Sequence, residues 1–164
     1  MQNKALVIID IQNDITKNYK DVIGNINRAI DWAVNNDIHV IYIRHEYLSE
    51  TMKKFKPNTF GSELVTDLKM VSSNIFTKNI GSACSSEHFM KFIKKEEIGE
   101  FYLTGADAIA CVKATNNGLL KENYILGIVS DCITSYDKKR IKEMLDYYKN
   151  KGSKIVSLRM LGEI

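Results

Sequence analysis

Six short apolar runs rich in β-branched residues recur along the chain, with helix-periodic stretches between them, and this alternation constrains the fold more than any other feature. The runs are ALVIID (5–10), IHVIYIR (38–44), SNIFTK (73–78), EFYLTG (100–105), YILGIVSD (124–131) and SKIVSL (153–158). Helical spacing of apolar residues predicts helices over 22–36, 62–69, 85–95, 111–121 and 136–149. Apolar strands separated by helices point to a parallel sheet covered on both faces, because parallel neighbours need crossover connections and helices usually supply them. The expected fold is α/β, a three-layer α/β/α arrangement around a six-stranded, mainly parallel sheet. Only the loop 46–61, which holds the lone proline Pro57, stays unassigned. A loop of that length in a compact domain is often a lid over a site.

The 164 residues, 45% hydrophobic and 26% charged, suffice for one domain with a sizeable core, taken here as 1–164. The net charge of +3 is dispersed, with no basic block longer than Lys53-Lys54 or Lys94-Lys95, which argues against nucleic acid as a partner. No apolar run is long enough to span a bilayer, and MQNKALVIID lacks the pattern of a secretory signal. Cys84, Cys111 and Cys132, odd in number and widely spaced, suit a reducing compartment better than a disulfide framework. A cytoplasmic location is the expectation.

In open parallel sheets the ligand crevice lies beyond the carboxyl ends of the strands. Asp10 ends the first run, Lys78 ends the third, and Cys111 follows the fourth at the start of a helix. A helix N-terminus and a nearby lysine would lower the pKa of a thiol by favouring thiolate. A neighbouring carboxylate could take the thiol proton and return it to a leaving group. Free backbone N–H groups in the turn before Cys111 could face a developing oxyanion. Each residue also has an ordinary role, as packing, cap or surface charge, so their coincidence at one sheet edge counts for more than any one of them.

At these residues the sequence resembles the isochorismatase-like cysteine hydrolase superfamily, which includes nicotinamidases and N-carbamoylsarcosine amidohydrolase. VIIDIQND resembles that family's opening strand into Asp-x-Gln-x-Asp, KNIGSAC its lysine segment and GADAIACVKAT its cysteine segment. VIYIRHEY, Gly61–Leu64 and GIVSDCITS match further segments in order. The resemblance implies a Rossmann-like isochorismatase-like hydrolase fold with Asp10, Lys78 and Cys111 as catalytic residues. It also implies a cis peptide at Ala106-Asp107 and an oxyanion hole of the Asp107 and Cys111 N–H groups. Assembly as a homodimer or homotetramer is implied on the same ground.

Two departures bear on the substrate. Nicotinamidases carry a metal-binding Asp-x-His and a further histidine after the second strand, whereas this chain has YIRHEYLSETMKKF. His39 and His45, six residues apart, would stand about 20 Å apart on an extended strand and could not clasp one ion. No metal and no cofactor is therefore expected. Cys84 stands where members often carry an aromatic residue. The expected pocket residues are Ile15, Tyr19, Arg44, Tyr47, Phe60, Cys84 and Asp107, facing a small-molecule substrate. The leading function is metal-independent hydrolysis of a small amide or carbamoyl compound through a Cys111 thioester. Isochorismatase-type cleavage of an enol ether and non-catalytic binding on the same fold are the alternatives.

Overall fold

A computed structural model describes residues 2–162. Its six strands, β1 (Asn3–Ile9), β2 (His39–His45), β3 (Ile75–Lys78), β4 (Ile98–Gly105), β5 (Ile125–Ile133) and β6 (Lys154–Val156), form one sheet in the order β3-β2-β1-β4-β5-β6. Every pairing is parallel. Five α-helices, α1 (Ile23–Asn35), α2 (Glu87–Lys95), α3 (Cys111–Lys121), α4 (Ile141–Lys151) and α5 (Leu158–Gly162), complete the three layers.

Period-2 alternation divides the strand residues between two cores. Leu6, Ile8, Val40 and Tyr42 pack under α1, whose Ile26, Ala29, Ile30 and Ala33 supply the facing stripe, with Leu161 of α5 beside them. Ala5, Val7, Ile9, Ile41 and Ile43 face the other way, against Phe89 and Ile93 of α2, Val112 and Leu119 of α3, and Met144 and Tyr148 of α4. Strands buried on both faces explain the unbroken apolar runs in the sequence. Ser86 caps α2 by accepting a hydrogen bond from the Phe89 N–H, and Gly152 in the left-handed region ends α4. No helix among the described residues is long and apolar enough to cross a membrane.

One expected helix does not form. Residues 62–69 leave a short 3-10 turn at Phe60–Ser62, bridge Gln12 through Leu64 in antiparallel fashion, and then turn, the Leu68 N–H donating to the Val65 carbonyl at 3.2 Å. The cause lies elsewhere in the chain. The Asn13 N–H donates to the Glu63 carbonyl at 3.0 Å and the Val65 N–H to the Ile11 carbonyl at 3.1 Å. The Gln12 side chain also donates to the carbonyls of His45 and Ser62 and accepts from the His45 N–H. Backbone groups paired across the fold are unavailable to a helix ladder. The expected helix over 136–149 likewise begins later, at Ile141, after a 3-10 turn at Lys138–Arg140.

In this strand order the direction of winding reverses between β1 and β4. A crevice opens at the carboxyl ends of strands flanking such a point.

Candidate active site

The reversal brings the chain after β1 against the chain after β4. Asp10 leaves β1 in the left-handed region, φ 55°, a conformation that aspartate tolerates better than most residues. Gly105 ends β4 at φ 106°, where a Cβ would stand 2.2 Å from the Ile9 carbonyl oxygen, so only glycine fits. The next N–H, that of Ala106, donates to the same carbonyl at 2.9 Å, and the Ala106-Asp107 peptide is cis.

The Asp107 side chain ties this turn together. Its Oδ2 accepts from the Tyr19 hydroxyl at 2.9 Å and from the Tyr136 N–H at 3.0 Å, and its Oδ1 accepts from the Ile109 N–H at 3.0 Å. The Asp107 carbonyl accepts from the N–H groups of Ala110 and Val112. Among the described residues, the N–H groups of Asp107 and Cys111 are left without a recorded acceptor. Cys111 opens α3, whose preceding residue Ala110 has no side chain able to cap it.

Strand register supplies the rest. His45 and Lys78 are partners across β2 and β3. Lys78 shares its strand face with Phe76, which packs on the core beneath α2 and α3, so the lysine points toward the helix that carries Cys111. Its Nζ donates to Asp10 Oδ2 at 3.0 Å and Cys111 Sγ at 3.4 Å, and lies 2.7 Å from His45 Nδ1. Asp10, His45 and Lys78 are all buried.

Burial dominates the electrostatics. The Cys111 thiol is pushed up to about 12, by burial first and then by the Asp10 charge, against the opposing pull of Lys78. This overturns the expectation that lysine and helix would leave a low-pKa thiolate, because a buried thiolate beside a carboxylate loses more in hydration and repulsion than one ammonium returns. Burial also raises Asp10, opposed by the Lys78 charge and by the hydrogen bonds of Cys111 and Lys78. A thiol that rests protonated beside a carboxylate of raised basicity is an arrangement for general-base activation. His45 is held down to about 4, by burial first and then by Lys78 and Lys54.

A cavity of about 160 Å³ opens on this cluster, lined by Asp10, Ile15, Tyr19, His45, Tyr47, Lys54, Phe55, Ala106, Asp107, Ala110, Cys111 and Tyr136. A larger hollow of about 530 Å³, around Gln2, Ile98 and Tyr124, lies at the opposite end of the sheet, away from Asp10, Lys78 and Cys111. The small cavity is thus the one with chemistry.

Ile15, Tyr19, Tyr47 and Asp107 line it, and three other expected pocket residues do not. Arg44, one residue from His45, points to the other sheet face, where it pairs with Glu46 at 3.1 Å and donates to the Ser62 carbonyl. Phe60 is 70% exposed. Cys84 packs against α3 at Gly118, where an added Cβ would meet its Sγ at 2.9 Å, two turns down the helix from Cys111. Sequence reasoning missed His45, Lys54, Phe55, Ala110 and Tyr136. His45 had a legible signal, a polar residue at the carboxyl end of a buried strand like Asp10 and Lys78, whereas the others reach the cavity only through loop folding.

Among the described residues, Asp10, His45 and Cys111 are the group whose ligand atoms, all within 4.8 Å of one another, could hold a metal ion. The Lys78 ammonium already stands in contact with all three, and a second cation there would face its full repulsion. These residues therefore suit an ammonium rather than a metal. His39 lies at the far end of β2 against Phe92, and His88 lies in α2.

Comparison with known proteins bears on the fold. The protein is 24% identical over 140 residues to the uncharacterized isochorismatase family protein YddQ of Bacillus subtilis (strain 168), covering 80% of this chain and 78% of that one. An isochorismatase family protein from Desulfovibrio vulgaris has the same fold, with a TM-score of 0.90 at 18% identity over 99% of this chain and 98% of that one. N-carbamoylsarcosine amidase from Thermoplasma acidophilum superposes with a TM-score of 0.83 at 20% identity, covering 95% and 96% of the two chains. The sequence pattern of the isochorismatase domain matches residues 4–160, and the chain belongs to that family.

Proposed function

We propose that the protein hydrolyses a small amide or carbamoyl compound without a metal, through a thioester on Cys111. The observation that carries this reading is the buried contact of one ammonium, Lys78, with both the Asp10 carboxylate and the Cys111 sulfur at the floor of a cavity. Support also comes from the amidase named among the structural neighbours.

Asp10 takes the thiol proton as Cys111 Sγ attacks the carbonyl carbon, which is why the thiol can rest protonated. The oxyanion forms against the free N–H groups of Asp107 and Cys111, donors fixed before reaction and shielded from water. Asp10 then gives its proton to the leaving nitrogen, the carbon–nitrogen bond breaks, and ammonia or an amine departs. Water attacks the thioester while Asp10 takes one of its protons. Collapse releases the acid, and the proton returns to the Cys111 sulfur. Lys78 holds Asp10 in place and balances charge in every state. The cavity volume, below the roughly 300 Å³ at the lower end for drug-sized ligands, restricts the substrate to a small molecule.

The test is a screen of small amides and carbamoyl compounds with Cys111→Ala as control. Turnover should fall by about 10³-fold or more in that variant, with its far-UV circular dichroism unchanged. Mass spectrometry of the quenched reaction should show an acyl adduct on the Cys111 peptide. Undiminished hydrolysis by Cys111→Ala would overturn the thioester mechanism, and release of pyruvate from isochorismate by that variant would replace it with enol-ether cleavage.

A further inference from the structure

One buried group at the site has no part in the chemistry above. His45 is almost fully buried between Lys78 and two aromatic rings of the following loop, Tyr47 with centroids 4.3 Å away and Phe55 at 5.9 Å. Its Nδ1 lies 2.7 Å from Lys78 Nζ, and its Nε2 has no partner. An ammonium is three donors and no acceptor. Asp10 Oδ2, Cys111 Sγ and His45 Nδ1 are its three recorded contacts, so Nδ1 is the acceptor, and the ring is neutral with its proton on Nε2.

We propose that His45 is a positioning residue: its Nδ1 lone pair pins the Lys78 ammonium in the place from which it reaches both Asp10 and Cys111. The inference deepens the proposed mechanism by explaining what fixes Lys78, whose long side chain could otherwise take other rotamers. The unpartnered Nε2–H is the corollary. A buried donor without an acceptor is costly, and the opposite tautomer would instead set an N–H against the ammonium. Both strand register and the Gln12 clamp on the His45 backbone keep the ring there. The charged and titratable groups around it are Lys78 from β3, Lys54 and Tyr47 from the following loop, and Asp10 and Cys111 beyond the ammonium.

Two measurements on the full chain test this without a substrate. In ¹⁵N-histidine-labelled protein at pH 7, long-range ¹H–¹⁵N spectra should show His45 protonated at Nε2 alone, with His39 and His88 as internal references. An Nδ1-protonated ring or an imidazolium overturns the proposal. The second readout is alkylation of Cys111 by iodoacetamide at pH 8.5, followed at its own peptide. His45→Phe suits the aromatic surroundings but lacks the acceptor. It should slow alkylation by about threefold or more, the effect of half a pKa unit on the thiolate fraction as the ammonium moves off. His45→Asn, whose Oδ1 can replace Nδ1, should stay within about twofold of the parent rate. Equal rates in His45→Phe and the parent, or an equal loss in both variants, overturn the pin. Failure to find any hydrolytic activity would count against the proposed function and leave both readouts intact.

Discussion

Lys78 is the residue on which the site turns. Its ammonium is buried with the carboxylate of Asp10, and removing one partner of such a pair leaves an uncompensated charge. Lys78→Met should destabilise the protein by about 3–5 kcal/mol at pH 7, read as a lower urea midpoint. Without the lysine, the already raised Asp10 value rises further, so the folded state binds a proton more readily than the unfolded chain. The deficit should therefore shrink as pH falls through that raised value. His45 has the opposite sign. Its folded value of about 4 lies below the ordinary 6.5, so between these limits the unfolded chain takes up a proton that the fold refuses. The stability that His45 confers is present above 6.5 and is lost as pH falls toward 4. The urea midpoint of His45→Phe should show a shallower fall over that window than the parent. A parent curve no steeper than the variant's would show that the ring is already protonated in the fold. For Cys111, raised to about 12, the alkylation rate should climb tenfold per pH unit from 7 to 10 without a plateau.

At the scale of elements, the turns after β1 and β4 carry Asp10 in the left-handed region and the crowded Gly105, and lead to Cys111. Gly105→Ala would force a Cβ to 2.2 Å from the Ile9 carbonyl at φ 106°. It should cost about 3 kcal/mol or more and lower the melting temperature sharply, while Gly24→Ala, where nothing lies within 4 Å, should not. Gln12 ties together the carboxyl end of β2 and the segment that fails to become a helix. Gln12→Leu would take the side-chain partner from the His45 N–H and the His45 carbonyl, while the Ser62 carbonyl keeps the Arg44 guanidinium, and limited proteolysis should then cut within 46–62 well before the parent chain is cleaved. Most elements were legible in the sequence because their apolar period is long. The 62–69 segment was not, since its helical spacing is overruled by backbone partners about 50 residues earlier. The 3-10 turns at Asn13–Asn18 and Phe60–Ser62 have no period to read.

For the whole molecule, Asp10, His45 and Lys78 stand at or just past the ends of β1, β2 and β3, Cys111 opens the helix that follows β4, and only the assembled sheet brings them together. Site and fold should then be lost in one step. Protection of Cys111 from alkylation and far-UV circular dichroism, followed across a urea series, should trace the same midpoint. An earlier loss of Cys111 protection would mark a site that opens independently of the sheet. Sequence alone determined the layers, the strand count and the gathering of Asp10, Lys78 and Cys111 at one edge of the sheet. It could do so because hydrophobic period and chain order are local properties of a sequence. Tertiary structure alone decided that His45 joins the site while Arg44 faces away, that the Asp107 side chain is spent on the turn, and that the thiol rests protonated. Those outcomes depend on which strand lies beside which, on the face a residue turns to its neighbour, and on how completely water is excluded, none of which any local run of residues encodes.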